Sequence, residues 1–96
     1  MDLSDLSPFP GGDLIRQGLE DLAQGRESEP ALLVLIGAPR LRRLGFNIPE
    51  AEARPPEHKL YDLLAQSDSD SAHSRYNALI RRLVSFERAV EAFEKP

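Results

Sequence analysis

The sequence predicts an all-α protein: a compact bundle of four helices, five if the second is broken in two, with a long C-terminal helix as its spine. Three observations lead there. Between Ser71 and Lys95, the residues Tyr76, Leu79, Leu83, Phe86, Val90 and Phe93 recur at alternating intervals of three and four, with Ile80 widening the stripe. That spacing lines one side of an α-helix and makes a seam of a and d positions. No Gly or Pro interrupts the run before Pro96, so nothing local ends the helix early. No other segment alternates as a strand would, so a sheet has no second member. A helix of this length, roughly 36 Å at about 1.5 Å per residue, must bury its stripe against its own chain or another.

The remaining elements follow in chain order. Residues 1–12 hold Pro8, Pro10, Gly11 and Gly12 among Ser and Asp, an irregular lead-in from which Phe9 could dock on the core. Residues 13–96 then form a single helical domain. Asp13 is the expected N-cap of the first helix, its carboxylate accepting from the unpaired amides of the first turn. Leu14, Ile15, Gly18, Leu19, Leu22 and Ala23 share one side of that helix. A glycine inside a helix costs about 1 kcal/mol relative to alanine, so Gly18 predicts close approach of a neighbour. Gly25 supplies the stop.

Pro30 fits a first helical turn, where its missing amide has no intrahelical partner. Periodicity alone does not separate helix from strand for Ala31-Leu32-Leu33-Val34-Leu35-Ile36. The Leu-rich composition and the lack of a partner strand favour helix, and the all-round apolarity predicts the most buried segment. Gly37-Ala38-Pro39 should kink or restart the helix. Gly45-Phe46 should end the second piece in a Schellman motif that folds Phe46 back on Leu41. Residues 47–56 read as a proline-rich connector. The next helix, Glu57 to about Gln66, turns Leu60, Tyr61, Leu63 and Leu64 inward, and an Asp or Ser of the 67–71 tract caps the last helix.

Composition narrows the chemistry. With 96 residues, 41% hydrophobic and 29% charged, the chain suits one soluble globular domain whose modest size makes a partner useful. The absence of cysteine removes disulfides, thiolate metal sites and cysteine nucleophiles. The longest apolar run, residues 31–36, is far below the roughly 20 residues of a membrane span. The acidic start lacks the basic and apolar regions of a secretory signal, so the expected address is the cytoplasm. The net charge of −4 is shared evenly, −2 in residues 1–48 and −2 in residues 49–96, so neither half is a basic arm.

No constellation of residues carries a specific chemistry. Asp68-Ser69-Asp70 resembles the start of a calcium loop, but His73 stands where the turn requires Gly and Leu79 where the bidentate Glu belongs. His58 and His73 lie near acids without a two-His helical motif, so no metal or cofactor is expected. Asp70, Ser71 and His73 are the residue types of a hydrolase triad, but they crowd one helix start and lack a nucleophile elbow.

The expectation is therefore a non-enzymatic protein. It would self-associate as a homodimer or other homo-oligomer, or bind another helical protein, through Tyr76, Leu79, Leu83, Phe86, Val90 and Phe93. The alternative is a small nucleic-acid-binding regulator that contacts phosphates through Arg40, Arg42 and Arg43.

Overall fold

Glycines and prolines divide the chain where the sequence places them. The computed structural model describes residues 6–49 and 55–94, and the helices are α1 (Gly12–Ala23), α2 (Glu29–Ile36), α3 (Ala38–Arg43), α4 (Pro56–Ser67) and α5 (Ala72–Glu94). Among the described residues there is no strand, and no helix is long and apolar enough to cross a membrane. The expected broken second helix is α2 followed by α3. Residues 1–5 of the lead-in, 50–54 of the connector and the last two residues lie outside the described residues.

The stops are built from backbone groups. Gly25, at φ 74°, ends α1 as Arg26 N–H donates to the Asp21 carbonyl at 2.8 Å and Gly25 N–H to that of Leu22 at 3.1 Å. Gly45, at φ 105°, ends α3 in the same way, with Phe46 N–H on the Leu41 carbonyl at 3.0 Å and Gly45 N–H on that of Arg42 at 3.1 Å. Both are Schellman motifs, which pair carbonyls that a helix end otherwise leaves open.

One cap differs from expectation. Gly11 rather than Asp13 precedes α1, and no side chain caps it. Gly11 has φ 75° and ψ 3°, and Gly12 N–H donates to the Phe9 carbonyl at 2.9 Å. These are the features of a type II turn with proline at its first central position and glycine at its second. The turn delivers the chain to the helix two residues early. Asp13 consequently lies in the first turn, where its charge still suits the positive end of the helix.

Helix α2 is the element the others share, packing against α1, α4, α5 and α3. Ala31, Leu32, Leu33 and Val34 are each at most 2% exposed, so the mean apolarity of this short helix is matched by burial on every side. Pro30 stands in its first turn and Ser28 caps it, accepting from Ala31 N–H at 3.2 Å. Gly18 of α1 meets α2 backbone to backbone: a Cβ there would lie 2.4 Å from the Pro30 carbonyl oxygen and 2.5 Å from Val34 Cγ2.

Helix α5 gives the molecule its length, covering about 34 Å of a 43 × 24 × 18 Å body. The helices α1 and α4, each about 18 Å long, are too short to cover it singly. Three different segments share the task. Helix α4 packs on its first half, where Tyr61 and Tyr76 meet at 5.9 Å between ring centres. The α2–α3 break packs on its middle, where a Cβ on Gly37 would be 2.8 Å from Leu83 Cδ1 and 3.1 Å from Glu87 Oε2. Residues 6–11 pack on its second half.

Candidate functional site

The predicted interface stripe on α5 is divided between core and surface. Leu83, Phe86 and Val90 are 4%, 0% and 0% exposed, Tyr76 and Leu79 are half-buried, and Phe93 is 63% exposed. Of the residues expected to meet a partner, Leu83, Phe86 and Val90 belong to this chain's own core. The physical cause is the lead-in. Leu6 is buried, and the turn at Pro10-Gly11 aims Phe9 at α5, edge-on to Phe86 at 6.0 Å and 79° and to Phe93 at 5.5 Å and 88°. Phe46 reaches Phe86 from the other side at 5.7 Å. Edge-to-face rings contribute about 0.5–1.5 kcal/mol beyond their buried area.

Phe93 is thus a large apolar side chain in water whose ring is fixed on one side by Phe9. One turn before it Ala89 is half-buried, and beside it Ala92 is exposed. At helical spacing these three share a face, with small residues next to an aromatic knob.

The arginines named for phosphate contact are placed differently from that reading. Arg40 bridges α3 to α5, with Nη2 2.7 Å from Glu91 Oε2 and Nη1 3.6 Å from Glu87 Oε1. Arg42 donates from Nε to the Ile48 carbonyl at 3.1 Å and from Nη2 to that of Pro49 at 2.8 Å, pinning the chain that leaves α3. Arg43 is exposed. Two of the three guanidiniums are engaged by carboxylates and carbonyls of their own chain.

Glu87 is the buried charge that sequence reasoning missed, 5% exposed against Gly37. Burial pushes its carboxyl above the usual range, opposed by Arg40 and then Arg43. The signal was present: Glu87 stands four residues after Leu83, on the flank of the seam, opposite a glycine that leaves room for it.

Comparison with known proteins adds no assignment. No family model, curated protein or solved structure matches this chain.

The other candidates remain apart. His58 and His73 are exposed, the ring of His73 pairing with the Asn77 amide at 3.2 Å, and among the described residues no group of His, Asp and Glu is arranged to hold a metal. Asp68 closes a turn, accepting from Asp70 N–H at 3.1 Å. The Ser71 hydroxyl and then that backbone amide hold its carboxyl below the usual range.

A second polar cluster joins α1 to α2. Asp21, buried, accepts from the Ser28 hydroxyl through Oδ2 and from Gln17 Nε2 through Oδ1 at 3.0 Å, with Arg26 Nη2 3.1 Å from Oδ1. The Ser28 hydroxyl leads the groups that hold its carboxyl low. All its partners come from the α1–α2 corner, so its role is to lock that corner.

Proposed function

We propose that this chain is a small non-enzymatic interaction module that pairs with a second copy through the distal end of α5. The observation that carries the reading is Phe93, 63% exposed yet held edge-on by Phe9. An aromatic ring fixed before binding loses little conformational freedom on contact, which is why such side chains anchor interfaces. Ala89 and Ala92 on the same face let a second helix come close, and a two-fold pairing places the same patch on both copies. The patch is small. It falls below the roughly 1,000 Å² of a stable complex, so association is expected only near about 0.1 mM.

Light scattering after size exclusion over a range of concentrations tests this. The average mass should rise toward that of two chains as concentration increases, and Phe93→Asp should hold the mass at one chain without altering the circular dichroism. A mass of one chain at every concentration, or an unchanged rise in the variant, overturns the reading.

A further inference from the structure

The first two-thirds of α5 carries only one sign of charge. From Ala72 to Phe86 it holds Arg75, Arg81 and Arg82 and no acid, in a chain whose net charge is −4; the first acid on the helix is Glu87. All three arginines fall along a shallow groove formed by two adjoining clefts. One runs past Glu29, Arg75, Ala78 and Leu79, the other past Gly11, Ala78, Arg81 and Ser85, and both include Arg82. From Arg75 to Ser85 the groove is about 15 Å long. Gly11, Ala78 and Ser85 are the small residues of its lining, and Gly11 brings its backbone so near that a Cβ would lie 3.1 Å from the Arg82 carbonyl oxygen.

Two of the arginines already meet carboxylates of other helices, Glu29 of α2 and Asp13 of α1. Arg75 Nη2 is 3.3 Å from Glu29 Oε1, and Arg82 Nη2 is 3.5 Å from Asp13 Oδ1, all four side chains being at least one-third exposed. Ion pairs this long and this wet contribute about 0–1 kcal/mol. A guanidinium has five donors, so one weak carboxylate contact leaves capacity for another.

We propose that this groove docks an acidic amphipathic peptide segment of a partner protein. Partner carboxylates bridge Arg75, Arg81 and Arg82 while a small apolar side chain sits over Ala78. Charge decides against a nucleic acid: Glu29 lines the groove beside Arg75 and Asp13 lies 3.5 Å from Arg82, so two carboxylates repel a continuous phosphate backbone, whereas a peptide can place separate carboxylates away from them. This surface is separate from the Phe93 patch, and neither depends on the other.

Fluorescence anisotropy tests it, using the Phe93→Asp chain so that self-association does not enter. The probe is a fluorescein-labelled helical peptide of glutamate, alanine and leucine. It should bind, release as salt rises, and weaken roughly tenfold with Arg81→Glu/Arg82→Glu. Ala78→Gln, which fills the groove and leaves every charge, should weaken it too. Arg16→Glu, a charge reversal on exposed α1, should not. No binding, equal weakening by Arg16→Glu, indifference to Arg81→Glu/Arg82→Glu, or tighter binding of a single-stranded oligonucleotide each overturns the proposal.

Discussion

Gly18 illustrates how a single position can be decided by its neighbour rather than by its own helix. Alanine is about 1 kcal/mol better than glycine in a helix interior, so propensity alone favours Gly18→Ala. The added Cβ would sit 2.4 Å from the Pro30 carbonyl oxygen, a backbone atom that moves only with α2. Overpacking of that kind costs about 1–3 kcal/mol. The substitution should therefore lower stability by up to about 2 kcal/mol in urea unfolding, against the sign that propensity predicts. This close approach was legible in the sequence, because a glycine on the apolar side of a helix gives up propensity and returns only room for a neighbour. The Ser28–Asp21 pair was not, since neither residue stands out until Gly25 turns α2 back beside α1. Asp21 has its carboxyl held below its ordinary value of 3.8 in the folded chain. Its stabilising contribution is full above the unfolded value and is lost as pH falls through the lower folded value. Ser28→Ala removes both the cap and the leading cause of that depression. It should cost about 1 kcal/mol at neutral pH and leave a shallower loss of stability below about pH 4 than the unaltered chain shows, as read by urea unfolding at stepped pH.

At the scale of elements, the contact between α5 and the α2–α3 break buries a charge on the flank of the apolar seam. Glu87 lies against Gly37, with Arg40 and Arg43 of α3 and Glu91 of α5 as its charged surroundings. Its carboxyl is raised from 4.5, so burial of the charge outweighs the attraction of the arginines. In the window from the unfolded value up to the raised one, the folded chain binds more protons than the unfolded chain. Stability from this group is accordingly present at low pH and lost as pH rises through the folded value. Glu87→Gln keeps the shape and removes the charge, while Arg40 retains Glu91 at 2.7 Å. The variant should be more stable than the unaltered chain at pH 7, and the difference should close toward pH 4. A denaturant series across that range measures it; a loss at pH 7 would mean that the ion pair outweighs the desolvation. The element itself was legible: α5 runs unbroken from Ala72 to Glu94 as the stripe requires. The roles of Arg40 and Arg42 were not, because Glu91 lies 51 residues from Arg40 in sequence and the Arg42 acceptors are backbone carbonyls.

For the molecule as a whole, the consequential feature is that a stretch with no regular structure completes the core. Residues 6–11 read as irregular from their prolines and glycines, and local sequence could not say which helix they would cover. The Phe9-Pro10-Gly11-Gly12 turn answers that by fixing Phe9 in the angle between Phe86 and Phe93. The same ring thus closes the core on one side and braces the exposed Phe93 on the other. Stability and the proposed pairing surface are therefore coupled through one residue but separable by substitution. Phe93→Asp should cost no more than about 0.5–1.5 kcal/mol, the edge contact with Phe9, because the side chain is already 63% exposed. Phe9→Ala opens a gap over Phe86, which is 0% exposed, and should cost about 2–3 kcal/mol. It should also weaken self-association even at temperatures where the chain remains fully folded, because Phe93 loses its brace and must be ordered on binding. Paired measurements of urea unfolding and light-scattering mass on both variants separate the two effects. If Phe9→Ala lowers stability while leaving association untouched, Phe93 binds without bracing, and the lead-in serves the fold alone.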